Sequence, residues 1–501
     1  MTQGGAGRPQ TAARGQGLAP VILLTGLIVL AVALRFWRLG EWNFEGTEMF
    51  TLRDSVRPQF RNPRPLGYLL TYFLVRPLRP LDEFGLRLLP AVFGVLAIPA
   101  FYAVGRRLIG TRPALFGTLL LTVSGLHVFY SQFARYWSLV FLLSAIYPYA
   151  LYLGVRERSS RALALGVLTM VLAILAHPVS ALLAGGPLLW LMGTYLRPSY
   201  LKQAWGHRSF RWGAVIALVL LAAITWRLVP ILQGWISMHD RNPGMGQFLL
   251  GPKLPQGPKQ LALLAAFLEG MTPPVALGAA AGIVMLWQGR DRTLAVFLAS
   301  LAVFPLLFVA LISIRTPVST FYLVPTGPVF FLGAGVFLDR LFQVDWAIRP
   351  RWLVPATITA IFLTAGAPTL ISQYRNGRRF DFRGVAQWLE PKLSPGDVIF
   401  SDQPMVLAHY LRRPRVEKLR HDSAPLREAA GELRQSGSGG VLWVIAPAPA
   451  HALRTNLRRG GLAYWMYENC QLQNTVGRGR IDFRQQYLQV YRCPPAPTPA
   501  T

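Results

Sequence analysis

The sequence predicts a polytopic α-helical membrane protein with a small α/β domain at its C-terminus. Long apolar runs recur along the first three quarters of the chain, each about as long as a bilayer is thick. The basic residues fall between those runs, as topology signals do. After about residue 373 the pattern changes to short apolar runs alternating with amphipathic, helix-like stretches. The composition agrees: 52% of residues are hydrophobic, 15% are charged, and the mean hydropathy is +0.36. This is not the composition of a soluble protein. Lys and Arg outnumber Asp and Glu by 51 to 22, a formal charge of +29. A nucleic-acid partner is not the reading, because the arginines lie between apolar runs. Anionic lipid head groups and phosphates suit them better.

Residues 1–18 are rich in Ala, Gly, Pro and Arg and read as a disordered cytoplasmic tail. The first run, Ala19 to Trp37, is flanked by Arg35 and Arg38 and lacks a small-residue cleavage site, so it reads as an uncleaved anchor. Further spans are expected at 86–105, 113–130, 137–155, 162–177, 179–196, 213–231, 273–288, 293–314, 322–341 and 353–372. That makes about eleven. Leu66 to Leu74 is apolar but short and is followed by Arg76 and Arg79, so it reads as a segment lying on the membrane. With it excluded and the N-terminus cytoplasmic, the basic loops Gly105 to Arg107, Arg156 to Arg158, Arg197 to Arg211, Arg290 to Arg292 and Arg340 to Arg351 all face the cytoplasm. The opposite face then carries the first loop (38–85), Tyr130 to Tyr136, His177, the loop 232–258, Arg315 and everything after Ile371.

The transmembrane region thus spans 19–373, and 374–501 forms an extracytoplasmic α/β domain. Val398-Ile-Phe400 and Val441 to Ile445 read as strands, and Ser394-Pro-Gly-Asp397 as the turn into the first of them. Arg383 to Leu389 and Ala424 to Leu433 read as helices. The two cysteines, Cys470 and Cys493, both fall in this domain. One disulfide and two free thiols are equally consistent with the sequence.

The chemistry is expected in the first loop. Four carboxylates, Glu41, Glu45, Glu48 and Asp54, occur within fourteen residues of an acid-poor chain. Glu45 and Glu48 are three apart and would share a face of a helical turn. Carboxylates at a membrane surface suit a site that takes a proton from a polar substrate. The competing reading is a solvated, charged loop. Arg135 stands at a span end, where it either contacts phosphate or snorkels to the interface. Tyr130 and Tyr136 fit an aromatic belt, and His177 precedes a proline at a helix end. His239 and Asp240 are too few for a metal site.

Several motifs occur together and in order: Glu48-Met-Phe-Thr, Asn62-Pro-Arg-Pro-Leu-Gly-Tyr68, Gly85-Leu-Arg87-Leu-Leu-Pro-Ala-Val-Phe-Gly, Gly105-Arg-Arg-Leu-Ile-Gly and Tyr130-Ser-Gln-Phe-Ala-Arg135-Tyr-Trp-Ser-Leu. On these residues the chain resembles the polyprenyl-phosphate-sugar-dependent glycosyltransferases of the GT-C fold. Protein mannosyltransferases and lipid A aminoarabinose transferases belong to that group. The resemblance covers roughly residues 20–340, and Asp381-Phe-Arg383 through Asp397 resembles the start of the C-terminal domain of bacterial members. It implies a multi-pass protein of a bacterial cytoplasmic (inner) membrane. Such a protein moves a sugar from a lipid-linked phosphate to an extracytoplasmic protein, lipid or glycan. Glu48 and Glu45 would supply the base. Arg53, Tyr68, Tyr130, Gln132, Arg135, His177, Arg315 and Tyr322 would surround the phosphate and substrate. No cofactor is required; a divalent cation remains an open helper. Polyprenyl-phosphate sugar, membrane lipids and an acceptor are the expected partners, with membership of a membrane-protein complex also open.

The chain departs from the family pattern at three positions. Thr47 stands where an Asp precedes the loop Glu, Phe133 where an acid precedes Ala-Arg, and Phe321 where an Arg precedes Tyr. Glu45 and Arg315 are the substitutes at hand. The alternative function is a catalytically degenerate protein on the same scaffold, serving as a lipid binder or complex subunit. A transporter is the weaker third reading, because the polar clusters sit at span ends and no repeat is visible.

Overall fold

The computed structural model describes residues 18–195, 259–313, 320–448, 462–477 and 487–494, less positions 59, 61, 63, 290, 413, 414, 420, 421 and 438. The expected span 213–231, the loop 232–258 and Arg315 lie outside the described residues. Among the described residues, six helices are long and apolar enough to cross a membrane, or eight if each of two bent pairs is one span. The protein is therefore a multi-pass membrane protein.

The chain enters through α1 (Ala19–Phe36), then forms a short α2 (Gly46–Asp54) in the first loop. Next come α3 (Pro65–Leu70), a π turn over Thr71–Val75, and the long α4 (Glu83–Ile109). Residues 65–75 make eleven positions of helix, too short to cross a bilayer. The Asp82 side chain caps α4 by accepting from Gly85 N at 2.7 Å. Of the following expected spans one is sharply bent, whereas Trp137–Arg156 and Leu353–Arg375 each hold a short interruption and still run as a single span. The expected helix 113–130 is α5 (Thr111–Val123) and α6 (Gly125–Ser131), bent by 59° at Ser124. The expected helix 137–155 is α7 (Trp137–Ser144) and α8 (Tyr147–Arg156). After α9 (Ser160–Ala176), a 3₁₀ segment, Pro178–Ala184, leads into α10 (Gly185–Tyr195).

A further helix, α11 (Lys259–Met271), was not expected; it meets α12 (Pro273–Gln288) at 89°. α13 (Arg292–Ile312) and a 3₁₀ turn (Thr320–Thr326) precede α14 (Gly327–Leu341). α14 packs tightly on α12: a Cβ at Gly282 would fall 1.9 Å from Gly333 O. The expected span 353–372 is α15 (Leu353–Ala365) and α16 (Ala367–Asn376).

The bend at Ser124 frees carbonyl groups in apolar surroundings, where each is expensive to leave unpaired. Arg35 of α1, fully buried, answers them. Its guanidinium donates to Thr122 O at 3.1 Å, Leu121 O at 3.4 Å and His127 Nδ1 at 2.8 Å.

The C-terminal part is a mixed five-stranded sheet in the order β2-β1-β3-β5-β4. β1 (Val398–Ser401) pairs in parallel with β2 (Glu417–Lys418) and β3 (Leu442–Ala448). β5 (Tyr487–Cys493) runs antiparallel to β3 and to β4 (Gln471–Val476). Helices α17 (Phe382–Leu389), α18 (Pro404–Leu411), α19 (Ala424–Ser436) and α20 (Leu462–Asn469) accompany it. Cys470 and Cys493 are joined by a disulfide. This unit does not hang free. Phe44, Met49, Leu86 and Ala134 share one buried core with Phe382, Val385, Val406, Leu407, Trp443 and Val490. The first loop and the C-terminal sheet therefore lie on the same side of the helical bundle.

Candidate active site

Glu45 is the residue before α2, with extended backbone (φ −101°, ψ 158°), so it does not share a helical face with Glu48. Instead Glu48 reaches back from the third position of α2, and its Oε2 accepts from Glu45 N at 2.9 Å. The two carboxylates are linked through the cap of the helix.

Glu48 is fully buried and saturated. Arg87 donates to it in a fork, Nε to Oε1 at 3.0 Å and Nη2 to Oε2 at 2.9 Å. Oε1 also accepts from Arg379 Nη2 at 3.2 Å and from Ala134 N at 2.7 Å. Burial pushes its carboxyl up, but Arg379, Arg87 and these hydrogen bonds outweigh that and hold it at about 2. A carboxylate so held is a poor proton acceptor and a good anchor. Glu45 behaves oppositely. Burial raises it to about 7, with the Glu48 charge adding to the rise and Arg379, Arg87 and Arg135 pulling it down. It is half-buried and tuned to the range a general base needs.

A cationic cluster lies beside this pair. Arg135 Nη1 donates to Thr47 O at 3.3 Å, Thr51 Oγ1 at 3.3 Å and Tyr68 Oη at 3.2 Å. Its Nη2 donates to Tyr136 Oη at 2.9 Å, and Arg64 Nη1 donates to the same oxygen at 2.6 Å. Two guanidinium groups thus meet on one phenol oxygen, and among the described residues neither pairs with a carboxylate. His177 is fully buried between the rings of Trp137 (4.7 Å), Tyr136 (5.3 Å) and Tyr322 (5.7 Å). Val179 N donates to its Nδ1 at 3.0 Å, so the ring proton sits on Nε2. A small cavity of about 20 Å³ is lined by Thr51, Tyr68, Arg135 and Tyr136 with apolar neighbours; Glu45 is not among them.

The fold brings Glu45, Glu48, Tyr68, Arg135, His177 and Tyr322 into one region. Tyr130 packs on Phe129, Phe133 and Trp137 and lies within the field of Glu45. Two expected residues have their side chains engaged elsewhere. Gln132 ties down the end of α1, its Nε2 donating to Trp37 O at 2.8 Å, and its Oε1 accepts from Gln373 at 2.8 Å. Arg53 is solvent-exposed and turned to Asp54 at 2.8 Å. The departures from the family pattern have structural partners. Phe133 receives the Arg379 guanidinium over its ring at 5.5 Å, and Phe321 lies 4.8 Å from Trp137. Thr47 contributes its carbonyl to Arg135. Among the described residues no three His, Cys, Asp or Glu side chains come together as a metal site.

Arg64, Arg87 and Arg379 were not singled out from the sequence as site residues. The two that meet Glu48 are separated from it by 39 and 331 residues. Arg64 lies inside the Asn62-Pro-Arg-Pro motif and Arg87 inside Gly85-Leu-Arg-Leu-Leu-Pro, which were the local signals available.

No protein-family model and no curated protein sequence matches the chain. Solved structures do. ArnT from Cupriavidus metallidurans, in the apo state, aligns over 96% of this chain and 98% of its own, at 15% identity and a TM-score of 0.52. The same protein bound to undecaprenyl phosphate aligns over 98% and 100%, at 16% identity and 0.52. The archaeal oligosaccharyltransferase AglB from Archaeoglobus fulgidus, in complex with an inhibitory peptide and a dolichol-phosphate, covers 85% of this chain and 69% of its own, at 13% identity and 0.51. The chain has the GT-C fold that these membrane-embedded transferases share.

Proposed function

We propose that the protein is a membrane glycosyltransferase that moves a sugar from a polyprenyl-phosphate carrier to an extracytoplasmic acceptor. The observation that carries this reading is the meeting of Arg64 and Arg135 on Tyr136 Oη, without a carboxylate on either, beside a half-buried Glu45. Two guanidinium groups with no carboxylate hydrogen-bonded to either favour an anion, and a phosphate accepts from both forks. Glu45 takes the proton from the acceptor hydroxyl. The acceptor oxygen then bonds to the anomeric carbon, the bond from that carbon to the phosphate oxygen breaks, and polyprenyl phosphate leaves with the electron pair. The configuration inverts. Glu48 anchors the loop and does not take the proton. The neighbours ArnT and AglB, solved with undecaprenyl phosphate and dolichol-phosphate, support a lipid-linked carrier.

The N-terminus faces the cytoplasm in this reading, and residues 374–501 form a domain on the opposite side of a bacterial inner membrane. The basic loops and the shared core of the first loop with the C-terminal sheet support that orientation. The saturation of Glu48 and the presence of Thr47 favour a second reading, a non-catalytic scaffold. Transfer of label from a panel of polyprenyl-phosphate sugars separates the two. Wild type is expected to transfer from at least one donor and Glu45→Gln from none. No transfer by wild type from any donor would favour the scaffold.

A further inference from the structure

Three successive backbone N–H groups around Glu45 are each held by a side chain. Phe44 N donates to Tyr410 Oη at 2.7 Å, Glu45 N to Glu48 Oε2 at 2.9 Å, and Gly46 N to Gln403 Oε1 at 2.8 Å. Two of the three acceptors belong to the C-terminal unit: Gln403 precedes α18 and Tyr410 lies near its end. Tyr410 is itself oriented. Its hydroxyl donates to Glu83 Oε1 at 2.7 Å, leaving a lone pair for Phe44 N, and Arg383 pairs with the same carboxylate. At Gly46 a Cβ would lie 3.0 Å from the Gln403 amide oxygen, so glycine lets the two approach. The Phe44 ring is fully buried and meets the His409 ring of α18 edge to face at 5.5 Å.

We infer that α18 of the C-terminal unit is the positioning element of the candidate base, with Gln403 and Tyr410 as positioning residues that fix the backbone on either side of Glu45. This rests on the reading of Glu45 as base. The extended backbone of Glu45 is then imposed by hydrogen bonds from more than 350 residues away, in addition to its own helix cap. A loop that needs two acceptors from another part of the fold is poorly ordered without them. Small misplacement of a reacting group is enough to slow a reaction substantially.

The test compares wild type, Gln403→Leu, Gln403→Glu and Tyr410→Phe in the full chain reconstituted in lipid nanodiscs. It reads two quantities: hydrogen–deuterium exchange of the segment 44–46, and donor kinetics. Gln403→Leu and Tyr410→Phe are each expected to speed exchange and lower kcat by roughly tenfold, the size of one ordinary hydrogen bond lost. KM for the donor should stay within about twofold, because the phosphate clamp is untouched. Gln403→Glu keeps an acceptor oxygen and should restore both readings. Unchanged exchange in folded variants overturns the inference. So does faster exchange with unchanged kcat, provided Glu45→Gln still abolishes transfer; the proposed function then stands without the positioning role. If wild type transfers nothing, the proposed function fails, and the exchange measurement alone decides whether α18 holds the loop.

Discussion

Glu48 and Arg87 face each other without solvent contact, two hydrogen bonds at 2.9 and 3.0 Å joining one carboxylate to one guanidinium. Arg379 approaches the same carboxylate from the linker that leads to the sheet. Removing one partner of such a pair strands the other as a buried charge and costs about 3–5 kcal/mol. Glu48→Gln is therefore expected to lower thermal stability severely or to prevent accumulation of folded protein. Glu45→Gln, at a half-buried carboxylate that anchors no guanidinium fork, should keep its melting temperature and lose transfer. Melting curves in detergent together with transfer assays check both. A stable but inactive Glu48→Gln would instead make Glu48 the base.

The two carboxyls also predict opposite pH behaviour. A base held near 7 is mostly protonated in acid, so the transfer rate should rise with pH through about 7 in wild type. Because the folded-state value of Glu45 lies above its usual 4.5, its contribution to stability is present at low pH and is lost as pH rises through about 7. Glu48 has the reverse sign. Its folded-state value is depressed to about 2, so its contribution is present above 4.5 and disappears as pH falls toward 2. Acid unfolding below about pH 4 should follow, visible by circular dichroism. Arg379→Gln takes a buried partner from Glu48 and should lower stability; in the protein that folds it also removes a charge that pulls Glu45 down and should move the activity limb to higher pH. An unmoved limb would mean that another group sets the profile.

Arg64 and Arg135 act in the proposed function as a shared fork, so their replacement by lysine is not conservative. Each Arg→Lys variant is expected to weaken polyprenyl-phosphate binding by roughly tenfold, and the pair by more. Trp137, beside His177 and Tyr322, offers a fluorescence signal for the titration. Arg53→Lys should bind as wild type does, since Arg53 is solvent-exposed and paired with Asp54. Equal affinity in all variants would remove the phosphate clamp from Arg64 and Arg135.

The spans were legible because a bilayer demands long apolar runs, and α4 and α13 match the expected 86–105 and 293–314 within a few residues. The bend at Ser124 has a local signal, a Ser-Gly pair whose serine caps α6, but its 59° size and its tolerance through Arg35, 87 positions from the Thr122 carbonyl it meets, were not legible. The site divides in the same way. Arg135 and His177 stood out at span ends, whereas Arg87 lay inside a motif with no role attached to it and gains its role only when α4 folds against the first loop. The spacing of Glu45 and Glu48 suggested one helical face. The helix begins one residue too late for that, and its cap separates an anchor from a candidate base.

The disulfide offers a test of orientation as well as stability. Cys470 and Cys493 lie 23 residues apart, bracketing β4 and β5 at one edge of the sheet. Closing a loop of that length contributes about 3 kcal/mol in the chain-entropy account. Among the described residues β4 has only β5 as a neighbour, and a register shift between Leu472 and Asn474 interrupts their pairing. The edge therefore depends on the bridge, and reduction or Cys470→Ser with Cys493→Ser should lower the unfolding midpoint of the C-terminal unit. Disulfides persist in oxidising compartments. In intact cells a membrane-impermeant maleimide should label neither cysteine until an impermeant reductant is added, and both afterwards. If impermeant reductant exposes no thiol and labelling requires permeabilised cells, the sheet faces the cytoplasm, and the proposed orientation of the candidate site is wrong.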